Sequence, residues 1–376
     1  MHYLDNSATT VVSQKAAEKA LKMMTECFGN PSSRHSLGID AEHELNRARR
    51  IVADKIGAAD KELFFTSGGT EANNLALFGA AEARKRTCDN IVISSVEHSS
   101  VLEAADKLEQ DGWKVSRIAP RRDGKVHPED VAAAVDRKTA LVSVMLVNNE
   151  TGAIMPADDI FEAAKEMNPQ VLCHTDAVQA FGKLPIKVKK LGADLLSVSA
   201  HKVHAPKGCG ALFVRKGVRL VPRQYGGEQE QKLRCGTEAL PSVAAFGAAC
   251  EEFDLSGSLK IVRELNAYAK DKLLSIDGVL LNSPEDALPY VLNITAGRVR
   301  SETMLHFLDE RYQVFVSSGS ACAKGKPSHV LRAMGLDDRR ADSALRISFS
   351  KHNTTADIDA LAEGIAEGIR TLATAK

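Results

Sequence analysis

The sequence predicts an α/β protein whose larger part is a mainly parallel β-sheet covered by helices. From about residue 41 onward, apolar residues at helical spacing alternate with short apolar runs typical of buried strands, and the alternation continues to about Cys250. Helices between successive strands favour parallel pairing, because the chain must cross back to the same end of the sheet. The pattern fades after Cys250, where residues 254–258 (DLSGS) form a polar, turn-rich break.

The elements follow one another along the chain in this alternating order. Apolar spacing predicts helices over residues 41–56, 128–135 and 158–167. Short runs of strand-forming residues predict strands at residues 90–94, 114–119, 140–147, 170–175, 194–199 and 210–215. We therefore expect a large domain at residues 14–256 and a smaller C-terminal α/β domain at residues 257–376, joined by an N-terminal arm of residues 1–13.

Composition and charge exclude several classes of protein. The 376 residues are 44% hydrophobic and 26% charged, which is ordinary for a soluble globular chain and argues against disorder. Lys+Arg and Asp+Glu both number 49, so no global field attracts nucleic acid or an anionic membrane. The N-terminal residues have neither a basic start nor an apolar stretch, and we expect a cytoplasmic protein.

The seven cysteines are scattered, without C-x-x-C pairs or histidines at zinc spacing. This argues against a disulfide scaffold and against a metal site. The remaining question is whether one of them is a reactive thiol.

The first chemical motif is FFTSGGTEAN at residues 64–73, which predicts a strand, a glycine-bearing turn and the start of a helix. Such a turn presents backbone N–H groups to a phosphate, the helix dipole favours the anion, and the Thr70 hydroxyl can add a hydrogen bond. The motif is neither a Walker A sequence nor G-x-G-x-x-G. Seen alone, the motif is better explained by a plain connection between a strand and a helix.

Two further strands end in residues that can act on a ligand. Asp176 comes at the carboxyl end of its strand, where α/β sheets bind ligands and where an aspartate can pair with a cationic ring nitrogen. Lys202 follows the next strand, beside His201 and close to Ser199, and a lysine held there can form a Schiff base. Taken singly, Asp176 is at least as well explained as the cap of the following helix. Lys202, taken singly, is better explained as a solvated lysine of a loop. A phosphate turn, an aspartate and a lysine in this order on one sheet are what a pyridoxal-phosphate site requires.

Short motifs recur in order along nearly the whole chain. They are LDNSATT at 4–10, FGNPSS at 28–33 with His35, TSGGTE at 66–71, VEH at 96–98, VNNE at 147–150, DAVQ at 176–179, SAHK at 199–202, RCGT at 234–237, SSGSAC at 317–322 and LRIS at 345–348. Together they resemble the motifs of the cysteine desulfurases, within the class V aminotransferase group of fold-type I pyridoxal-phosphate enzymes. The resemblance implies a seven-stranded, mainly parallel sheet in the large domain, and a pyridoxal 5'-phosphate cofactor between the two domains.

The resemblance also implies roles for individual residues. Lys202 would carry the cofactor and remove the substrate Cα proton, and His98 would stack on the cofactor ring. Asp176 would bind the ring nitrogen and Gln179 the phenolic oxygen. The phosphate would be held by Gly69, Thr70, Ser199 and His201, with Thr237 supplied by the partner subunit of a homodimer. Arg346 would bind the substrate carboxylate bidentately, with Asn149 assisting.

Cys322 is the cysteine that this resemblance implies as the sulfur acceptor within the enzyme. It lies between SSGS and KGKP, a small, polar and basic surround that favours an exposed thiolate over the buried, inert state usual for a cysteine. The expected reaction removes sulfur from L-cysteine, gives L-alanine and leaves a persulfide on Cys322. The expected catalytic residues are therefore Lys202, Cys322 and His98.

The sulfur would then pass to an acceptor protein. The chain ends at residues 371–376 (TLATAK), without the extra segment with which some desulfurases dock an iron–sulfur scaffold, and its cysteine loop is short. These features resemble desulfurases that serve a tRNA-thiolation sulfurtransferase, although an iron–sulfur scaffold is the other acceptor considered. The competing interpretations are a selenocysteine lyase, an aminotransferase for a small amino acid, and a non-catalytic adapter that keeps only the fold.

Overall fold

The computed structural model describes residues 1–318 and 328–372 of the chain. The strands of these residues are β1 (His2–Tyr3), β2 (Leu63–Thr66), β3 (Asn90–Ser94), β4 (Lys114–Ile118), β5 (Thr139–Ser143), β6 (Leu172–Asp176), β7 (Leu195–Ser199), β8 (Gly210–Val214), β9 (Val279–Leu281), β10 (Val291–Ala296), β11 (Val314–Phe315) and β12 (Ala344–Ser348). The helices are α1 (Gln14–Thr25), α2 (Ser36–Ile56), α3 (Gly69–Arg84), α4 (Ser99–Gln110), α5 (Pro128–Ala132), α6 (Ala157–Met167), α7 (Val188–Leu191), α8 (Leu240–Glu251), α9 (Leu255–Leu274), α10 (Ser301–Tyr312), α11 (His329–Ala333), α12 (Asp338–Asp342) and α13 (Thr355–Thr371).

A seven-stranded sheet in the order β2-β8-β7-β6-β5-β3-β4 forms the centre of the larger part. Strands β7, β6, β5, β3 and β4 pair in parallel, whereas β8 runs antiparallel to both β7 and β2. The prediction of an α/β fold with a mainly parallel, seven-stranded sheet is therefore confirmed. The carboxyl ends of β2, β3, β5, β6 and β7 consequently meet at one edge of this sheet.

Both faces of the sheet are covered, as its apolar strands require. Alternate residues of each strand point to opposite faces. On β3, for example, Ile91 and Ile93 belong to a core with residues of α3 and α4, whereas Val92 belongs to a second core that includes residues of α2, α6 and α8. The second core continues into the C-terminal sheet through Leu292 and Ile294, so it joins the two parts of the molecule.

The predicted elements occur at or near their expected positions, with two informative differences at their ends. Helix α2 begins at Ser36 rather than near residue 41, because His35 caps it by accepting a hydrogen bond from Gly38 N at 3.3 Å. Strand β5 ends at Ser143 rather than near residue 147, although Val144 N still donates to the His174 carbonyl at 3.1 Å. Beyond Ser143 the chain turns over the sheet edge toward the cavity described below.

A smaller, antiparallel sheet in the order β12-β10-β9 lies in the C-terminal part. The N-terminal arm pairs with this part, since β1 runs parallel to β11 and Asp5 bridges to Ser348. The arm then crosses to the large sheet, where Thr10 N donates to the His201 carbonyl at 2.9 Å. The division of the chain at residues 256 and 257 stays a prediction.

Across residues 1–318 and 328–372, the helices are too short or too polar to cross a lipid bilayer.

Candidate active site

Segments that follow the ends of β2, β3, β6 and β7 meet at the carboxyl edge of the sheet. Asp176 is the last residue of β6 and Ser199 the last residue of β7, and the short 3₁₀ turn Ala200–Lys202 follows directly. The turn after β2 leads into α3, and the segment after β3 carries His98 as the N-cap of α4. Parallel strands place all of these ends on one side, which is where open α/β sheets bind ligands.

These segments enclose a cavity of about 490 Å³. The residues expected from the sequence that line it are Gly69, Thr70, His98, Asn149, Asp176, Gln179, Ser199, His201, Lys202 and Arg346. Its wall also contains residues to which the sequence assigned no role, among them Asn73, Glu97, Glu150 and His329. Lys202 also lines a second cavity, of about 560 Å³.

The glycine turn before α3 leaves no room for a side chain at Gly69. A Cβ built there would lie 2.8 Å from Val178 Cγ2 and 3.5 Å from Ser199 Cβ. The first N–H groups of α3 have no acceptor within the helix, and the dipole makes this end positive. The turn therefore offers an anion direct access to backbone donors, with Thr70 and Ser199 at its side.

A hydrogen-bonded chain connects Asp176 to His98. Asn73 Nδ2 donates to Asp176 Oδ2 at 2.7 Å and to Ser100 Oγ at 2.9 Å, and Ser100 Oγ lies 2.8 Å from His98 Nδ1. The other Asp176 oxygen accepts from Val178 N at 2.9 Å. Asp176 is thus held in place by two donors while it lines the cavity.

The His98 ring is neutral and has a defined tautomer. The Ser100 backbone N–H donates to His98 Nδ1 at 3.1 Å, and since an N–H can only donate, Nδ1 has no proton and the ring hydrogen is on Nε2. Burial lowers the pKa of His98 and, despite an opposing effect of Asp176, the charges of Lys202, His329 and Arg346 lower it further. A neutral ring suits stacking on a flat, partly cationic ligand.

The N-terminal arm holds Lys202. Lys202 Nζ donates to the Ser7 carbonyl at 2.6 Å and to the Ala8 carbonyl at 2.8 Å. The adjacent His201 ring lies 3.2 Å, through Nδ1, from Thr9 Oγ1, and burial together with the charges of Lys202, Lys207 and Lys183 lowers the pKa of His201 to about 4. His201 is therefore a neutral hydrogen-bonding group at ordinary pH.

Arg346, from β12 of the C-terminal sheet, is buried in the cavity wall. Its side chain is 3% exposed, and Nη2 forms an ion pair with Asp5 Oδ1 at 2.8 Å. Nη1 donates to the Asn149 carbonyl at 3.2 Å. The guanidinium is thus oriented by the arm on one side and by the segment after β5 on the other.

Glu97 and Glu150 are two buried carboxyl groups that also line the cavity. Burial, followed by the Asp176 charge, raises the pKa of Glu97 to about 8 against the opposing hydrogen bonds from Ser94 and Met145 N. Burial also raises the pKa of Glu150, which accepts a hydrogen bond from Ser328 Oγ. Glu97 is therefore largely a neutral acid at pH 7, and no local sequence pattern distinguishes it from a surface glutamate.

Thr237 lies away from this cavity on an exposed segment, and Cys322 lies outside the described residues. Arg234 in the same segment forms an ion pair with Glu71, in the first turn of α3, at 2.9 Å. Cys235 is 3% exposed and donates its S–H to the Gly227 carbonyl, which agrees with a packing role. Burial raises the pKa of the thiols of Cys173 and Cys209 to about 12, so these cysteines are inert.

The sequence pattern of the family described as Aminotransferase class-V matches residues 2–361. The chain belongs to the class V aminotransferases. Among curated members, it is 43% identical to a cysteine desulfurase of Cereibacter sphaeroides, over 96% of this chain and 94% of the relative. It is 41% identical to the cysteine desulfurase IscS of Methanosarcina thermophila, over 98% and 92% of the two chains.

Solved structures of class V aminotransferase relatives share the fold. A NifS-like protein superposes with a TM-score of 0.93 at 37% identity, over 98% of this chain and 99% of the other. A structure titled SspA in complex with cysteine superposes with a TM-score of 0.84 at 35% identity, over 94% and 100%. The fold-type I architecture expected from the sequence is thereby confirmed.

Proposed function

We propose that this class V aminotransferase is a pyridoxal-phosphate-dependent cysteine desulfurase. It converts L-cysteine and the Cys322 thiol into L-alanine and a persulfide on Cys322. The observation that carries the proposal is that Lys202, Asp176, His98 and Arg346, from four separate segments, line one cavity. The relatives named as cysteine desulfurases, and the relative solved in complex with cysteine, support the same substrate.

The residues present fit the cofactor. The N-terminus of α3 opens on the cavity that Gly69, Thr70 and Ser199 line, and its backbone N–H groups suit a phosphate. Asp176 is a fixed carboxylate for a protonated ring nitrogen, and the flat His98 ring suits the ring face. Asn73 Oδ1 and Glu97 Oε2 are buried polar atoms of the same wall without a hydrogen-bond partner in residues 1–318 and 328–372, as expected of a cavity that binds a polar ligand.

Each residue then has a task that its surroundings support. When bound, the cofactor withdraws electron density from the substrate Cα. Lys202 removes the Cα proton as a general base. Arg346 binds the substrate carboxylate through its planar fork, which the contacts with Asp5 and Asn149 orient in advance.

The chain can bring Cys322 to this cavity. Ser317 pairs with Arg346 through two backbone hydrogen bonds, Arg346 N to the Ser317 carbonyl at 2.6 Å and Ser317 N to the Arg346 carbonyl at 3.1 Å. Ser328 contacts Glu150 in the cavity wall. Five positions along the sequence separate Cys322 from Ser317, and a stretch of that length reaches at most about 18 Å. The sulfur transfer breaks the C–S bond of the substrate and forms an S–S bond on Cys322.

The test is the release of alanine and sulfide from L-cysteine in the presence of a thiol reductant. We expect equal amounts from the wild type without any keto acid, which separates this reaction from transamination. Cys322→Ala should keep the visible absorption of the cofactor and lose activity, whereas Lys202→Ala should lose the normal absorption band as well.

Cys88→Ala is the matched control, because Cys88 is a partly exposed thiol in a different cavity, beside Trp113. We expect this variant to be as active as the wild type. If Cys322→Ala released sulfide at the wild-type rate, the persulfide step would be wrong and a lyase without an enzyme thiol would replace it. The rates of alanine release from L-selenocysteine and from L-cysteine are then compared. A much faster reaction with L-selenocysteine would favour the selenocysteine lyase alternative.

A homodimer is the working unit under this proposal, with Thr237 completing the phosphate site of the neighbouring subunit. Thr237 is exposed and absent from its own cavity, which supports a role in a partner. A complementation experiment tests this directly. Lys202→Ala and Thr237→Glu are each expected to be nearly inactive, but a mixed dimer has one site with both natural residues and should recover activity. Failure to recover, with dimers demonstrated by sedimentation, would refute the shared site.

The persulfide sulfur then passes to an acceptor protein. The two candidates are a tRNA-thiolation sulfurtransferase, which the short cysteine loop favours, and an iron–sulfur scaffold. Transfer of radiolabelled sulfur from the loaded enzyme to each purified acceptor discriminates them. Faster transfer to the scaffold would contradict the preference for the sulfurtransferase.

A further inference from the structure

The amide group of Gln179 is oriented from both of its ends. Its Oε1 accepts a hydrogen bond from Lys183 Nζ at 2.9 Å, and its Nε2 donates to the Ser7 carbonyl at 3.0 Å. The Ser7 carbonyl cannot donate, so it requires the NH₂ group on its side, and Lys183 in its ammonium form fixes the same orientation because an ammonium cannot accept. The second hydrogen of Nε2 thus stays available for an acceptor in the cavity that Gln179 lines.

Lys183 lies outside the cavity that Gln179 lines. It is 6% exposed, and its Nζ lies 5.7 Å from the centroid of the Tyr290 ring. It lines the cavity of about 560 Å³, whereas Gln179 lines the cavity of about 490 Å³ and Lys202 lines both. The Ser7 carbonyl accepts from both Gln179 and Lys202, so one hydrogen-bonded chain runs from Lys183 through Gln179 and Ser7 to Lys202.

This placement of a lysine is costly. Burial, then the charges of Lys202 and Arg346, lower the pKa of Lys183 to about 7. Lys183 in turn contributes, after burial, to the lowered pKa values of His201 and His204. An aliphatic side chain would fill the same space without desolvating an amine, so packing alone does not account for a lysine here.

We propose that Lys183 is a positioning residue that holds the Gln179 amide with its NH₂ group toward the phenolic oxygen of the cofactor. The inference rests on the proposed function, since the acceptor belongs to that cofactor. Lys183 acts only through Gln179, and its loss should therefore reproduce the loss of Gln179.

A double-mutant cycle on the holoenzyme tests this coupling. The variants are Lys183→Met, Gln179→Leu and the combination, with the visible absorption band, kcat and KM for L-cysteine as readouts. We expect Lys183→Met to shift the band in the direction seen in Gln179→Leu and to lower kcat about tenfold, with KM within about twofold. The combination should be no worse than Gln179→Leu alone, because no amide remains to be oriented. Lys183→Arg keeps a pure donor and should restore most of the band position.

The inference would be overturned if the loss of kcat in the double variant equalled the product of the losses in the two single variants. It would also be overturned if Lys183→Met kept the wild-type absorption band and kcat. If Lys183→Met does not fold, Lys183→Gln replaces it, since an amide can donate or accept and no longer fixes Gln179. These outcomes leave the proposed function standing, because that depends on alanine release and on Cys322. An absence of alanine release from the wild type would instead refute the proposed function.

Discussion

A buried ion pair between Arg49 and Glu230 offers a test of the structure that needs no assumption about function. The two guanidinium nitrogens Nη1 and Nη2 each donate to one Glu230 oxygen at 2.7 Å, and Phe65 N donates to the same carboxylate at 2.8 Å. The Glu230 side chain is 2% exposed. The pair holds a strained turn, since Glu230, Gln231 and Lys232 have φ values of 46°, 54° and 67°.

Glu230→Gln removes the charge while it keeps the shape and an acceptor for Phe65 N. Breaking a buried pair by removing one partner costs about 3–5 kcal/mol, and the retained contacts place this variant near the lower end, about 3 kcal/mol. A chain of 376 residues has an unfolding entropy of about 0.8 kcal/mol/K, so we expect Tm to fall by about 4 °C.

Differential scanning calorimetry of the wild type and Glu230→Gln measures this change. The control is Asp106→Asn, because Asp106 pairs with Arg117 on the surface, with side-chain exposures of 50% and 32%. An exposed pair contributes under about 1 kcal/mol, so the control should melt within about 1 °C of the wild type. A Glu230→Gln protein as stable as this control would show that the desolvation of the pair cancels its attraction, and our reasoning would fail.

Three further predictions concern the cavity. Arg346→Lys should raise KM for L-cysteine at least about tenfold with an unchanged visible spectrum, because a lysine cannot bind a carboxylate bidentately; an unchanged KM would remove Arg346 from the carboxylate site. Asp176→Asn should keep the cofactor and lower kcat about a hundredfold, since a neutral amide does not stabilise a protonated ring nitrogen; wild-type kcat would contradict its role. Burial and the Asp176 charge raise the pKa of Glu97 from 4.5 to about 8, so the folded protein binds a proton that the unfolded chain has lost. The stability of the wild type relative to Glu97→Gln should therefore fall as pH rises from about 4.5 to about 8 and be constant outside this window; urea unfolding of both proteins across this pH range measures it, and a constant difference would show that Glu97 is ionised in the fold.

Much of the site follows from positions at strand ends. Asp176, Ser199 and Lys202 each come at the end of a short apolar strand or just after it. Because the carboxyl ends of parallel strands lie at one edge of a sheet, these residues can be predicted to lie together without knowledge of the packing. The glycine turn before Thr70 is likewise a local signal, because the helix start that follows provides the donors. The family motifs then connected these residues to Arg346, which no local pattern links to the sheet.

Other parts of the site depend on contacts between residues far apart in the chain. Asn73 fixes Asp176 across 103 residues, and Asp5 orients Arg346 across 341. A sequence pattern describes neighbours within one element, whereas these contacts arise where the arm, the large sheet and the C-terminal sheet pack together. The raised pKa of Glu97 likewise depends on tertiary packing, because residues next to Glu97 in the sequence do not reveal its burial.

The sequence by itself determined the α/β class, the order of strands and helices, and the residues that strand ends deliver to one edge. Those properties depend on apolar periodicity and turn chemistry, which are local. The tertiary structure alone decided that Glu97 stays largely neutral, which tautomer His98 adopts, and that Lys183 reaches Gln179 from outside the cavity. Protonation and amide orientation depend on desolvation and on the partners that folding supplies, and these exist only once distant segments are packed.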